Sequence, residues 1–503
     1  MKSAPFSYGK PMGLFGQPPA LLAQSTFDQA LSLHQSGQVA QALPLYLQVI
    51  ALQPKHFNAL NLAGAISLQL GDAHQSVDLL TRALKIERNH AGAHNNRGSA
   101  YQRLGDVDMA MLNFNKAIAL DPKSEKAYNN RGNLLIRLNR LDEALRDFDQ
   151  AIALSPTYFS PHNNRGTVLA DMTRYSEARA SFERAIELDP NSVDAHWNLG
   201  MCCLRLGDFE TGWRESEWRL QRPHQVGLQE AYPAPLWTGQ ESLAGKTILL
   251  CHEQGLGDTI QFCRYARLVA ELGARVLLLV QPGLRSLLRD LPGVELFVQG
   301  DSLPAYDFYC PLLSLPLVFK TDLSHIPLPP DVIHPTADQV AQWAARLGEK
   351  RKPRVGIVWS GNADHVDDYK RSIPLKDFVS LLSDDIQWVS LHKDAREADQ
   401  ATLKAHPEIA HFGAEQQDFT DAAALCQLMD LVVSVDTSLA HLAATMGRPT
   451  WVVLARNPDW RWLLDRRDNP WYPSATLYRQ DQLGDWTVPI QSIRADLSRS
   501  FQS

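Results

Sequence analysis

The sequence predicts two architectures in one chain of 503 residues: an all-α superhelix of paired helices, then an α/β region of two lobes built on parallel sheets. The superhelix is predicted by glycines that recur at one constant spacing, at Gly64, Gly98, Gly132, Gly166 and Gly200. The α/β region is predicted by short β-rich runs that alternate with amphipathic stretches from about Lys246 onward. A proline-rich connection at 327–335 divides these runs into two series, which indicates two lobes.

The glycine frame holds other residues that recur with the same period. Small residues mark where two antiparallel helices touch, an aromatic ring fills the gap, and a proline ends the second helix. These residues are Ala83, Ala110, Ala117, Ala144, Ala151, Ala178, Ala185, Phe114, Phe148, Phe182, Pro54, Pro122, Pro156 and Pro190. The pattern resembles the tetratricopeptide repeat and predicts six units over residues 23–220, starting near 23, 57, 91, 125, 159 and 193, the last one degenerate. We expect a right-handed superhelix with a concave groove.

An asparagine lies two residues before four of the repeat glycines, at Asn96, Asn130, Asn164 and Asn198. An amide both donates and accepts hydrogen bonds, so a row of amides suits a peptide backbone of any sequence. The row resembles the asparagine ladder of the eukaryotic O-GlcNAc transferase, which implies an acceptor polypeptide in the groove. The alternative, solvated asparagines without such a role, stays open. The recurring His94, His162 and His196 are interpreted as structural.

Composition and charge exclude several classes of protein. With 45% apolar and 21% charged residues the chain is typical of globular proteins, and a net charge of −7 argues against a nucleic-acid partner. No run approaches the ~18 apolar residues of a membrane span. Six scattered cysteines without metal-ligand spacing favour a reducing compartment. Without a secretory signal in view, we predict a cytoplasmic protein whose residues 1–22 form a flexible tail.

The second half follows the order of strand, loop and helix. Strands are predicted at Thr247–Cys251, Arg275–Val280, Val294–Val298, Tyr306–Cys310, Arg354–Trp359, Gln387–Leu391, Leu431–Val435 and Thr450–Leu454. A helix is predicted at Thr259–Leu272, and a last one at 490–501 that crosses back to the first lobe. The absence of GxGxxG and GxxxxGK[ST] motifs argues against a dehydrogenase or a P-loop NTPase. The predicted order is a linker at 221–245, an N-terminal Rossmann-like lobe at 246–335, and a C-terminal Rossmann-like lobe at 350–503. Its resemblance to a GT-B fold implies that the first lobe is the acceptor side and the second the nucleotide-sugar side. This arrangement fits a GT-B fold with its substrates between the lobes.

The segment from Ser434 to Ala444 carries the most specific motif. A buried strand ends at Asp436, and Thr437 or Ser438 is expected to cap the next helix, whose N-terminus suits a diphosphate. With His441 the segment resembles the Asp-Thr-Gly-Leu-x-His-Leu signature of the lipopolysaccharide heptosyltransferase family, with Ser438 in place of glycine. The resemblance assigns these four residues to donor binding. A helix that merely begins with good caps is the alternative.

The loop after the first predicted strand supplies the other half of the site. In the heptosyltransferase family a Gly-Asp pair lies here, and Gly257 with Asp258 occupies that position. The resemblance implies that Asp258 deprotonates the acceptor hydroxyl, while Gly255 and Gly257 let the chain approach the donor sugar. An aspartate that only caps a helix is the alternative. Glu253 is the fallback base, and His252 is a further candidate.

A basic pair, Lys370 and Arg371, follows the fifth predicted strand. Arg371 lies three positions before Pro374, where the family has a basic residue that neutralises donor phosphates, and Lys370 adjoins it. We expect both to bind the donor, with plain solvation as the alternative for Lys370. No paired Asp-x-Asp lies beside a strand, so metal-independent transfer without a cofactor is predicted. His392 and Lys393 are weaker candidates to face the base or ribose, and the tryptophans at 460, 462 and 471 are expected to pack.

Together, the two halves resemble bacterial protein glycosyltransferases, including the flagellin-modifying type, and loosely the O-GlcNAc transferase. The resemblance implies inverting transfer from a nucleotide-sugar to Ser or Thr of a protein held by the repeats. A lipopolysaccharide or other glycan acceptor, and a catalytically inactive tetratricopeptide adaptor, remain alternatives. The donor nucleotide, the sugar, the acceptor and a homodimeric state stay open.

Overall fold

The computed structural model describes residues 19–222, 227, 231–365 and 368–501. The chain divides into two compact units, one of Met1–Met172 with Ala180–Pro190 and one of Thr173–Arg179 with Asn191–Ser503. Of the predicted N-terminal tail, residues 1–18 lie outside the described residues, and residues 19–22 belong to the first helix.

The described residues before 217 form helices α1 to α12, as the repeat pattern predicts. Their bounds are Pro19–Gln35, Val39–Leu52, Phe57–Gln69, Ala73–Ile86, Ala91–Leu104, Val107–Leu120, Glu125–Arg137, Leu141–Leu154, Phe159–Asp171, Tyr175–Leu188, Val193–Leu206 and Phe209–Ser216. Each helix from α1 to α8 packs against the next, and the pairs α3 with α5, α5 with α7 and α7 with α9 also touch. Five first helices begin at residues 57, 91, 125, 159 and 193, the predicted starts of repeats two to six.

The repeat glycines lie where the first helix of a unit crosses the second. A Cβ atom built on Gly98 would approach the ring of Phe114 to 2.7 Å, and one on Gly132 would approach Phe148 equally closely. Both rings are fully buried. The constant spacing of the glycines is therefore a packing requirement, because a larger side chain would force the two helices apart.

The first lobe of the second unit is a four-stranded parallel sheet of order β3-β2-β1-β4. Its strands are β1 Thr247–Cys251, β2 Arg275–Val280, β3 Val294–Val298 and β4 Phe308–Pro311. Three short helices accompany them, at Leu256–Phe262, Arg264–Glu271 and Leu315–Val318. The single helix predicted at Thr259–Leu272 was wrong, since the helix begins at Leu256 and a break at Cys263 separates it from the next.

The second lobe is a six-stranded parallel sheet of order β10-β9-β8-β5-β6-β7. Its strands are β5 Arg354–Val358, β6 Gln387–Ser390, β7 Ile409–His411, β8 Leu431–Val435, β9 Thr450–Leu454 and β10 Ala475–Arg479. Its helices are Ala337–Leu347, Asp368–Arg371, Leu375–Phe378, Glu397–Ala405, Phe419–Gln427, Ser438–Thr445 and Thr487–Phe501. The edge strands β7 and β10 were missed, because one is very short and the other mixes polar with apolar residues.

The C-terminal helix packs on the second lobe, so the prediction that it crosses back to the first lobe was wrong. Its buried residues Ile490, Ile493 and Leu497 belong to the same apolar cluster as Val453 and Tyr478 of that sheet. The apolar face of this helix is buried within the second lobe, so it has no exposed apolar surface that would draw it onto the first lobe.

The segment predicted as a linker, 221–245, is partly a piece of the first lobe. The Trp237 side chain is buried, and its backbone N–H donates to the Tyr309 carbonyl at 2.8 Å beside β4. Residues 223–226 and 228–230 lie outside the described residues. A free linker would leave this aromatic side chain in water. Burial of the Trp237 ring therefore stabilises the packing of this part of the chain on the edge of the sheet.

The sixth repeat shares a core with the lobes of the second unit. Trp213 lies edge-on to Trp460 with ring centroids 5.1 Å apart, and its indole N–H donates to the Thr321 carbonyl at 2.9 Å. Phe209 packs on both Trp213 and Trp471. The degenerate sixth repeat is therefore packed into the core of the second unit. Across the described residues, no helix combines the length and the apolar character that a membrane span needs.

Candidate active site

The first lobe contributes Asp258 from the turn that follows β1. Gly255 is the N-cap of the Leu256–Phe262 helix, and the Gly255 N–H donates to Asp258 Oδ2 at 2.8 Å. The carboxylate therefore closes the first turn of its own helix, which is the capping role held open as an alternative. A carboxylate offers about four acceptor positions, so this bond leaves room for other contacts.

The other oxygen of Asp258 forms an ion pair with Arg461 of the second lobe. Burial raises the pKa of Asp258 above its usual value, and the Arg461 charge acts against that rise. The side chain keeps 17% of its surface exposed. Asp258 is thus a partly accessible carboxylate whose charge is balanced from the opposite lobe.

Gly257 lies where the two lobes come close. A Cβ atom on Gly257 would approach His441 Cδ2 to 2.7 Å and the Ser438 Cα to 3.4 Å. The glycine therefore lets the helix after β1 lie against the helix after β8. The structure gives Gly257 this packing role and places Gly255 at the N-cap. The role of both glycines in donor binding stays a prediction.

The second lobe contributes the turn between β8 and the Ser438–Thr445 helix. Thr437 occupies the N-cap position, yet its side chain makes no capping bond and its hydroxyl lies 3.3 Å from that of Ser434. The expected side-chain cap by Thr437 or Ser438 was wrong. The first-turn N–H groups and the positive end of the helix dipole are consequently left for another acceptor.

Arg371 reaches the same strand end. Its guanidinium donates to the Asp436 carbonyl at 2.9 Å and lies 3.5 Å from Asp368 Oδ1. Arg396, which follows β6, pairs with the other oxygen of Asp368 and donates to the Gly361 carbonyl at 2.7 Å. Two guanidinium groups share one buried carboxylate at the carboxyl end of β5, and the Arg371 charge also acts on the Asp436 carboxylate. Lys370 is half-buried, with its ammonium group 5.7 Å above the ring of Tyr369.

His441 and Asp436 lie side by side beneath this turn. Nδ1 of His441 is 2.8 Å from the Tyr472 hydroxyl, and Nε2 is 3.9 Å from Asp436 Oδ1. Burial lowers the pKa of His441 to about 3, so the imidazole is neutral at neutral pH. Burial, with the nearby Asp459 charge, raises the pKa of Asp436 to about 6.

Three other candidates from the sequence are engaged elsewhere. Glu253 is fully buried and binds Arg219 through both oxygens, at 3.0 and 2.9 Å, so its suggested role as the fallback base was wrong. Nε2 of His392 accepts a hydrogen bond from the backbone N–H of Trp359 at 3.1 Å inside the second lobe, so the His392 ring does not face a ribose. Lys393 donates to the Gln417 carbonyl at 3.0 Å.

The sequence did not point to Arg461 or Asp459. Arg461 is buried and donates to Gln261 Oε1 at 2.6 Å and to Asp459 Oδ1 at 2.8 Å, while its guanidinium lies 4.5 Å from the Trp460 ring centroid. The available signal was an arginine between two tryptophans, in the segment Asp459-Trp460-Arg461-Trp462. The neighbouring tryptophans are buried, as expected of packing residues.

The repeat asparagines bond to asparagines of the preceding repeat. Asn130 Nδ2 donates to Asn95 Oδ1 at 3.0 Å, and Asn164 Nδ2 donates to Asn129 Oδ1 at 3.0 Å. Asn96 belongs to the same unit, and Asn198 belongs to the second one. Asn95, Asn130, Asn129 and Asn164 are therefore linked amides, and Asn130 Nδ2 also donates to Ser99 Oγ at 3.4 Å. Binding of an acceptor polypeptide by the predicted asparagines stays a prediction. The repeat histidines make structural bonds, such as His162 Nε2 to the Pro156 carbonyl at 3.1 Å.

Comparisons with known proteins match both halves of the chain. Residues 27–94 and 163–211, and also 91–124 and 125–158, match tetratricopeptide-repeat families. Residues 389–482 match glycosyltransferase family 9 (heptosyltransferase). This last range includes Arg396, Asp436, His441 and Arg461, whereas Asp258 and Arg371 lie outside it.

Protein FlbA of Caulobacter vibrioides is 24% identical over 308 residues, which are 56% of this chain and 51% of FlbA. The chain thus spans about half the length of this curated relative. Among solved structures, a thermophilic tetratricopeptide protein of Thermus thermophilus is 21% identical with a TM-score of 0.33, covering 36% of this chain and 99% of its own. PilF of Pseudomonas aeruginosa is 16% identical with a TM-score of 0.35, covering 43% and 94%.

The repeat families account for most of residues 27–211, and the glycosyltransferase match contains the strand end that carries Asp436 and His441. The chain therefore joins tetratricopeptide repeats to a glycosyltransferase domain of family 9, the heptosyltransferase family.

Proposed function

We propose that the protein transfers a sugar from a nucleotide-sugar to serine or threonine hydroxyls of a protein acceptor, without a metal and with inversion at the sugar carbon. The observation that carries the proposal is the convergence of Arg371 with the uncapped helix N-terminus after Asp436. A guanidinium group beside free N–H donors is suited to the diphosphate of a departing nucleotide. Charge developing on that diphosphate is then stabilised by protein groups alone.

Asp258 is the proposed base. In a single displacement the acceptor oxygen forms its bond to the sugar carbon while its proton passes to the Asp258 carboxylate, and the bond to the diphosphate breaks on the opposite side. The Gly255 and Arg461 contacts use two of the carboxylate's acceptor positions, which leaves positions for the acceptor hydroxyl. The location of Asp258 on the lobe opposite Arg371 supports this division between acceptor side and donor side.

The amide ladder supports a polypeptide acceptor. Linked amides such as Asn130 and Asn164 are held in fixed orientations. Each amide oxygen has two lone pairs, so it can accept a peptide N–H in the groove. A glycan acceptor remains the second candidate because residues 389–482 match the heptosyltransferase family.

Nucleotide binding tests the donor site. Melting temperatures of the full chain are compared with UDP, GDP, ADP and CMP for the wild type and for Arg371→Ala. One nucleotide at ~100 times its Kd should stabilise the wild type by about 2.7 kcal/mol. That stabilisation should be lost in Arg371→Ala and kept in Arg351→Ala, which removes a largely exposed arginine of the same lobe. Failure of every nucleotide to stabilise the wild type at millimolar concentration contradicts the proposal.

Acceptor choice is tested with the nucleotide identified in this way. Asn130→Ala with Asn164→Ala should reduce sugar transfer to a protein acceptor while slow hydrolysis of the donor continues. Equal loss of both reactions would instead indicate damage to the transferase domain. Unchanged protein glycosylation would favour the glycan acceptor.

A further inference from the structure

Arg461 links the two lobes at the candidate base. It lies in a short 3-10 helix, Trp460–Trp462, which follows β9, and it is buried. Its guanidinium binds Asp459 from its own segment and Asp258 and Gln261 from the helix after β1. A guanidinium group has donors in a fixed planar fork, so these three acceptors define its orientation.

The Asp258 carboxylate is held at both oxygens. The Gly255 N–H fixes Oδ2 from within the same turn, and Arg461 fixes Oδ1 from the second lobe. Because the two contacts come from different lobes, the plane of the carboxylate is defined only when the lobes are together. The capping bond alone would restrict rotation of the carboxylate about the Cβ–Cγ bond of Asp258 much less.

The segment that carries Arg461 is itself anchored by the last repeats. The Tyr175 hydroxyl donates to Asn457 Oδ1 at 2.7 Å, and Arg205 Nε donates to the Pro458 carbonyl at 3.0 Å. Trp213 packs edge-on against Trp460, directly before Arg461. These contacts all lie in the second unit and remove freedom from the segment, so Arg461 is presented to Asp258 in one orientation.

We propose that Arg461 is a positioning residue for the transfer reaction, one that orients the Asp258 carboxylate and balances its charge from the opposite lobe. This role rests on the proposed function, because it acts through Asp258 as the base. It goes beyond a general contribution to stability, since it predicts an effect on the protonation of the base. The Arg461 charge also lowers the pKa of Asp436, where burial, Asp459 and Arg371 act more strongly.

The charged groups around Asp258 set the direction of that effect. Arg461 faces it from the segment after β9, Asp459 adds a negative charge from the same segment, and His441 lies across Gly257 on the helix after β8. His441 is neutral at neutral pH, and Asp436 lies beyond it. Arg461 is therefore the cation that favours the ionised form of Asp258, against burial and Asp459.

The experiment measures kcat/KM for sugar transfer against pH in the full chain. Replacing Arg461 by glutamine removes the positive charge, so the acid limb of the profile should move to higher pH by about 1 to 3 pH units. Arg461→Lys keeps the positive charge but lacks the planar set of guanidinium donors. The acid limb of its profile should therefore stay near that of the wild type, while kcat falls. The substrate KM of the lysine variant should change less than its kcat, because the defect lies in the reacting geometry.

Arg264→Gln is the matched control. Arg264 is also buried, but it donates to the neutral carbonyl groups of Gln261, Pro327 and Trp471. Its loss should lower the melting temperature and leave the acid limb in place. If Arg461→Gln keeps the wild-type limb, or if Arg264→Gln moves it equally, the positioning role is wrong while the proposed function stands. A wild type that transfers no sugar overturns both.

Discussion

At the scale of single residues, Gly257 has no room for a side chain in the candidate site. His441 faces it, and this imidazole is held by the Tyr472 hydroxyl and by stacking on Trp462, so it has little room to yield. The Ser438 backbone lies on the same side. The close approach of the two helices therefore depends on the missing side chain at this position.

Gly257→Ala should destabilise the second unit by roughly 1 to 3 kcal/mol, because the added methyl group overlaps a fixed ring. Chemical unfolding followed by tryptophan fluorescence measures the change. Gly283→Ala serves as the control, since its built Cβ has no heavy atom within 4 Å and should cost little. Equal stability of the two variants would mean that the lobes adjust freely at Gly257.

His392 gives the chain a defined response to acid. Burial lowers its pKa to about 3, below the ordinary value of 6.5, so the unfolded chain takes up its proton first as pH falls. Stability from this group is complete above pH 6.5 and declines between pH 6.5 and about 3, by up to ~1.4 kcal/mol per pH unit. Asp436, with a folded pKa of about 6, acts in the opposite direction, so a variant is needed to isolate His392.

His392→Gln supplies an acceptor that does not titrate, placed to receive the Trp359 N–H. At pH 7.5 the variant should be less stable than the wild type, and the difference should shrink as pH falls below 6.5. Denaturant unfolding at several pH values measures it. A difference that stays constant from pH 7.5 to 5 would show that His392 has an ordinary pKa in the folded protein.

At the scale of elements, the sixth repeat serves the transferase domain as well as the array. Trp213→Ala removes a buried ring that packs on Phe209, Trp460 and Trp471, so it should cost about 3 to 5 kcal/mol in the second unit. Phe148→Ala removes a similarly buried ring in the first unit. Calorimetry with the donor nucleotide identifies the unfolding transition whose midpoint temperature the nucleotide raises. Trp213→Ala should lower the midpoint of that transition, whereas Phe148→Ala should lower the midpoint of a different transition. If both variants lower the midpoint of the same transition, the two units do not unfold independently.

The difference between these elements explains how much the sequence could predict. The repeats were predictable in nearly full detail, because each glycine contact, such as Gly132 with Phe148, lies within one repeat. Asp436 and Asp258 were candidates from the sequence because each lies in a motif that resembles the heptosyltransferase family and follows a buried strand. Arg461 and Arg396 were missed because Asp258 and Asp368, the carboxylates that bring them to the site, belong to other elements, 203 and 28 residues away in the chain. No local pattern encodes such pairs. The anchoring of 457–458 by Tyr175 and Arg205 was hidden for the same reason.

At the scale of the whole molecule, the boundary between array and enzyme lies inside the repeats. Arg219, directly after the last repeat helix, is buried and neutralises Glu253 of the loop that leads to Asp258. Ser314 and Glu217 complete this buried network. A cut after residue 220 would remove Arg219 and leave Glu253 as an uncompensated buried charge, a change that typically costs about 3 to 5 kcal/mol.

Two truncations test this boundary. A chain that begins at Thr173 keeps Trp213 and Arg219, so it should fold, bind the donor nucleotide as the full chain does, and lose transfer to a protein acceptor. A chain that begins at residue 221 loses both side chains and should be insoluble or unable to bind the nucleotide. Thermal shift and transfer assays on the two chains measure these outcomes.

If the chain from residue 221 binds nucleotide as tightly as the chain from Thr173, the last repeat is dispensable to the enzyme and the buried Arg219–Glu253 pair does not support its fold. If the chain from Thr173 still glycosylates the protein acceptor at the full rate, residues 1–172 do not hold that acceptor.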